Sequence, residues 1–79
     1  MPMTITADDV RRHVAELLHM PEERVGADVE LTDLVSDSFV LVEMAVCLQE
    51  DYDVFFRQSD LEAVRTVADV VNLVLSRRT

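Results

Sequence analysis

Asp37-Ser38-Phe39-Val40-Leu41-Val42-Glu43-Met44-Ala45-Val46-Cys47-Leu48-Gln49-Glu50 is the stretch on which the fold turns. At ~100° per residue, Leu41, Met44, Ala45 and Leu48, extended by Tyr52, form one stripe of a helix. Phe39, Val42 and Val46 form a second stripe on nearly the opposite side, with Glu43 and Glu50 beside it. The longer stripe, which ends in an aromatic ring, is assigned to the core. The shorter one then faces outward, because a small domain offers no second core and the two glutamates would need buried partners. An apolar stripe rimmed by carboxylates suits docking to a basic, apolar groove. The plainer alternative packs Phe39 under the preceding loop and leaves only Val42 and Val46 showing. Asp37 is a good N-cap, so the helix is predicted from residue 37 or 38 to Tyr52. Ser38 falls in its first turn, where unpaired backbone N–H groups favour an anion; it could equally be a helix-start residue and nothing more.

Upstream, Thr6-Ala7-Asp8-Asp9 reads as a capping box, with Ile5 and Val10 as a hydrophobic staple. Val10, Val14, Leu17 and Leu18 then share one helical face, and Pro21 is expected to stop this helix near Met20. Residues 21–36 carry no long period; Val25, Val29, Leu31 and Leu34 are their expected packing anchors. Downstream, Ser59-Asp60-Leu61-Glu62 reads as the capping box of a short helix, and Phe55 and Phe56 are expected to pack between it and the helix before. Thr66 starts a last helix, with Val67, Val70, Val71, Val74 and Leu75 as its buried stripe and Arg77 and Arg78 at the negative end of its dipole. No alternating run or hairpin turn signals a strand. The expected fold is all-α: a small antiparallel bundle of three longer helices and one short one, with a long loop between the first two.

The chain has 79 residues and a formal charge of −9, from 16 acidic and seven basic side chains. That length holds one domain, expected over residues 1–79, without a deep cleft. The acid excess argues against nucleic acid and against anionic membranes, and for partners with basic surfaces. Split at residue 36, the charge is nearly even, −5 and −4. All seven basic residues are arginine, a codon-usage hint of a GC-rich bacterial genome. The single cysteine, Cys47, excludes an internal disulfide. The longest apolar run, Phe39 to Leu48, is too short to span a bilayer, and no signal peptide is read, so the expected location is cytoplasmic.

Other chemistry finds little support. A catalytic serine needs an oriented base, and nothing places His13 or His19 beside Ser38. Asp9 and His13 supply at most two metal ligands. The segment from Asp51 loosely echoes a calcium loop but has Phe55 and Phe56 where an oxygen ligand and a glycine are needed.

The chain resembles the acyl carrier proteins along essentially its whole length. Asp37-Ser38-Phe39 resembles their Asp-Ser-Leu signature, with Asp33-Leu34 before it and Val42-Glu43 after it at the family's spacing. Leu48-Gln49-Glu50-Asp51-Tyr52-Asp53-Val54 resembles the close of the family's second helix, and Thr66-Val67-Ala68-Asp69-Val70-Val71 the start of its last. Two positions depart from the pattern: Val35 stands where the family usually has glycine, and Phe39 where it has leucine. The resemblance implies a non-catalytic carrier whose Ser38 holds a covalent 4′-phosphopantetheine arm, with acyl groups carried on it as thioesters. Asp37 would help place the metal and substrate of a phosphopantetheinyl transferase. Phe39, Val42, Glu43, Val46 and Glu50 would form the docking face for that transferase and for an acyltransferase or ligase, a ketosynthase and other pathway enzymes. A discrete, monomeric carrier of polyketide or fatty-acid-like biosynthesis is implied, with Met44, Leu48 and Phe56 as lining if the bundle shelters the chain. The alternatives are a peptidyl or aminoacyl carrier of nonribosomal or amino-acid-primed assembly, and an acidic helical interaction module without cofactor.

Overall fold

Three segments with helically spaced apolar residues supply the long helices, the second of them with an apolar stripe on each of two faces. In the computed structural model, which describes residues 5–78, α1 spans Ala7–Leu17, α2 is the single turn Leu31–Leu34, α3 spans Ser38–Tyr52, α4 spans Gln58–Ala63 and α5 spans Val67–Arg78. A 3₁₀ turn at Glu22–Arg24 and α2 add to the expected elements. The all-α expectation is met: the extended pairing among the described residues is one isolated antiparallel bridge, Glu30 with Thr66.

Caps set where the helices begin. Thr6 Oγ1 accepts from the Asp9 N–H at 3.2 Å, and Asp9 Oδ2 accepts from the Thr6 N–H at 3.1 Å. Thr66 and Asp69 repeat this reciprocal pair at the start of α5, with 3.2 Å and 3.1 Å bonds. Two boundaries differ from expectation. Helix α1 ends at Leu17 rather than near Met20, because His19 takes a left-handed conformation (φ 57°). The His19 and Met20 N–H groups turn back to the carbonyls of Glu16 and Ala15, closing the helix before Pro21 is reached. Helix α4 starts two residues early: Asp60 Oδ2 accepts the Arg57 N–H at 2.9 Å, so Arg57 is the N-cap and Asp60, not Glu62, closes the turn.

The core is assembled from Val10, Val14, Ala15 and Leu18 of the α1 segment, Met44, Ala45 and Leu48 of α3, and Val67, Val70, Val71 and Val74 of α5. Burying each of the valine, leucine and methionine chains is worth about 1.5–3 kcal/mol, against the conformational entropy lost on folding. Phe56 joins this core as expected; Phe55 does not, and stands 72% exposed. Adjacent residues of an extended linker point to opposite sides, so only one ring can turn inward.

The loop between α1 and α3 docks through Val25 and Leu31, both buried, with Val29 and Leu34 half-buried. Its backbone is also bonded to the approach to α5. Leu31 N–H donates to the Arg65 carbonyl (2.9 Å), Val67 N–H to Val29 (3.0 Å) and Ala68 N–H to Ala27 (3.0 Å). Arg11 reaches from α1 to the carbonyls of Glu22 (2.9 Å) and Val25 (3.1 Å). These bonds satisfy backbone groups that an irregular segment would otherwise leave unpaired, and they hold the approach to Ser38.

Candidate functional site

Ser38 is the first residue of α3 and is exposed. Asp37 caps the helix: its Oδ1 accepts the Phe39 N–H at 2.9 Å, and its carbonyl accepts the Val40 N–H at 3.1 Å. Val35, two residues before the cap, has φ −139° and ψ 123°. That is ordinary extended backbone, so a β-branched residue fits there without strain. Neither histidine ring is hydrogen-bonded to the Ser38 hydroxyl. His13 instead bonds Asp51, about 20 Å along α3 from Ser38 at 1.5 Å per residue.

The two faces of α3 separate as the periodicity requires. Met44, Ala45 and Leu48 are buried, and Leu41 and Tyr52 half-buried. Phe39, Val42 and Val46 are 65%, 55% and 48% exposed, and Glu43 and Glu50 are exposed beside them. Phe39 does not tuck under the loop. Proximity to charge is stronger than the half-chain totals indicated. Residues 25–56 contain eight carboxylates and no basic residue, so nearly all the excess charge lies in the segment that contains α2 and α3. The arginines lie outside it, and most are occupied. Arg11 and Arg12 reach Asp8, Asp9 and Glu22, Arg65 reaches Glu30, Arg77 reaches Asp60, and Arg78 donates to the Tyr52 carbonyl. Splitting the sequence at residue 36 hid this block; a window between successive arginines would have shown it.

Beneath the serine lies a cavity of about 220 Å³. Ser38 is its one polar lining residue, at one end of a wall formed by Leu41, Val42, Met44, Ala45 and Leu48 of α3. Phe56, Leu61 and Val64 close another side, and Leu31, Val70 and Leu73 complete it. The sequence identified Met44, Leu48 and Phe56. It did not identify the contributions of α4 and α5, which depend on how separate helices pack.

The remaining candidates fall apart as sites. Asp9 is engaged by the cap of α1 and His13 by Asp51, and no group of three or more metal-binding side chains occurs among the described residues. Cys47 is half-buried in a groove between α1 and α3, next to Leu17 and Met44. Among the described residues no helix is long and apolar enough to cross a membrane.

The family model described as the phosphopantetheine attachment site matches residues 8–74. The chain belongs to the acyl carrier family. It is 37% identical over 68 residues to an acyl carrier protein of Campylobacter lari, covering 85% of this chain and 88% of that protein. It is 32% identical over 68 residues to one of a Sulfurovum species (85% and 91% covered) and 36% identical over 70 residues to one of Campylobacter jejuni subsp. doylei (87% and 91%). Acyl carrier proteins are not themselves catalysts. Their cofactor is phosphopantetheine, and their role implies encounters with a phosphopantetheinyl transferase and with biosynthetic enzymes.

Proposed function

We propose that this chain is a carrier whose Ser38 is the attachment residue for 4′-phosphopantetheine, and that it carries apolar acyl groups. The observation that bears most weight is the position of Ser38: exposed, first in a helix of 15 residues, and lining an otherwise apolar cavity. The residues suit the group. The start of α3 carries the partial positive charge that favours a phosphodiester, and the hydroxyl is open to a transferase. When attached, the arm supplies a terminal thiol on which acyl groups are held as thioesters.

This chain's own residues do the rest. Asp37 holds the first turn through the Phe39 N–H while leaving its exposed carboxylate available to a transferase-bound metal. Phe39, Val42 and Val46 offer an apolar strip, and Glu43 and Glu50 steer basic surfaces onto it. The expected visitors are the transferase, an acyltransferase or ligase, and a ketosynthase, in the cytoplasm, with the free carrier monomeric and residues 1–79 acting as one domain. The cavity favours a fatty-acid-like or reduced polyketide chain over an aminoacyl load, whose ammonium would lose its hydration among leucine, valine and methionine side chains.

Intact-mass measurement after co-expression with a broad-specificity transferase tests the assignment. The phosphopantetheine increment should appear on the wild type and vanish in Ser38→Ala. Its absence with several transferases, or its persistence in Ser38→Ala, would sink the proposal.

A further inference from the structure

Helix α4 buries none of its six residues, unlike α1, α3 and α5. Leu61 of α4 and Val64 just after it line the cavity, yet Leu61 is still 39% exposed. On its other side, Asp60 and Ala63 border an open groove against Asp69, Asn72 and Ser76 of α5. The short helix therefore stands between two spaces instead of being packed between two walls. Its flanks are better held. Phe56 is buried and its N–H donates to Gln49 Oε1 at 2.9 Å, while Arg65 is tied to Leu31 through the backbone and to Glu30 through its side chain.

Between those anchors, an ion pair joins α4 to α5: Arg77 Nη2 lies 2.7 Å from Asp60 Oδ1. The other oxygen of Asp60 caps its own helix at Arg57, so a single carboxylate both starts α4 and ties it down. We propose that α4 is a lid over the cavity beside Ser38 and that the Asp60–Arg77 ion pair is its latch. The cavity is there with the latch closed; releasing the latch lets Leu61 and Val64 swing away and uncovers whatever the cavity holds. An element with few buried contacts opens locally at little cost, so one ion pair shifts its closed fraction without unfolding the bundle. That the cavity shelters acyl cargo rests on the function proposed above; the latch itself does not.

The test uses the full chain and Arg77→Gln, which removes the latch but leaves the Asp60 cap in place. In the unmodified protein, amide hydrogen exchange over residues 58–63 should quicken about two- to five-fold, while exchange in α1 and at Val70–Val74 is unchanged. Concentrated salt should speed the wild-type segment towards the same rate, since screening at 1 M acts over ~3 Å. Exchange that is unaltered in the variant, or that rises uniformly through all helices, overturns the latch. A second arm loads an octanoyl group through a transferase and measures thioester cleavage by hydroxylamine. Faster cleavage in Arg77→Gln supports the lid, and unchanged cleavage despite faster local exchange overturns it. Failure of loading strikes the Ser38 assignment and leaves the exchange arm to decide the latch.

Discussion

His13 Nε2 on α1 lies 2.6 Å from Asp51 Oδ2 at the end of α3, and the same imidazole meets the Tyr52 ring edge-on, with centroids 5.6 Å apart. Arg78 of α5 donates to the Tyr52 carbonyl at 3.0 Å. The three long helices are thus joined by side chains at the end of α3 far from Ser38. His13→Ala should lower stability by about 1 kcal/mol, from a partly exposed charged hydrogen bond and an aromatic contact. Denaturant unfolding of His13→Ala, Asp51→Asn and the double variant checks this. A coupling energy indistinguishable from zero would contradict the clasp.

The two faces of α3 should respond in opposite ways. Leu48 is fully buried, so Leu48→Ala should cost about 2–5 kcal/mol. Val46, two residues away and 48% exposed, should change stability by less than about 0.5 kcal/mol when replaced by alanine. Thermal melts of the two variants decide between these faces.

Glu43→Arg should slow transferase-dependent loading several-fold while leaving the helical circular dichroism intact. The wild-type rate should fall as salt rises and the variant's should fall less, since screening removes a steering field the variant has already weakened. Equal rates at all salt concentrations would remove Glu43 from the docking face.

Acid should loosen the helix starts together. Asp9 is held below the ordinary aspartate range chiefly by the Thr6 N–H, Asp60 by the Arg77 side chain, and Asp69 by the N–H groups of Arg65 and Thr66. A carboxyl whose pKa is lower folded than unfolded contributes its full stabilisation above its unfolded value of about 3.9, and loses it as pH falls through the folded value. Stability should therefore drop below about pH 4, and Asp69→Asn should flatten that drop. A chemical-denaturation series from pH 7 to pH 2 provides the measurement.

What could be read in advance was what local chemistry dictates. The span of α3, its Asp37 cap and the Thr6–Asp9 box followed from residues within one or two turns of each other. The start of α4 was misplaced because a hydroxyl was sought at the cap. Here the cap residue contributes its backbone, an N–H that Asp60 accepts and a carbonyl that accepts from Asp60 and Leu61, so no hydroxyl is needed at that position. The cavity's far wall, the Arg77 contact with Asp60 and the bonds between residues 27–31 and 65–68 join segments that are distant in sequence. Such contacts leave no periodic trace. Ser38 was legible through its neighbours in the chain, whereas the space it lines was legible only in Met44, Leu48 and Phe56.

The backbone bonds between the loop and the approach to α5 also set an order of events during synthesis. Residues 27, 29 and 31 find their partners only once residues 65–68 exist, more than 30 positions later. A nascent chain that ends after α3 already contains Ser38 and the Arg11 bonds to Glu22 and Val25, but it lacks the partners that hold residues 27–31. Contacts so distant in sequence are late and slow ones to close. The presentation of Ser38 is thus a property of the chain through α5, and an unfinished chain offers a modifying enzyme the right residue in the wrong setting.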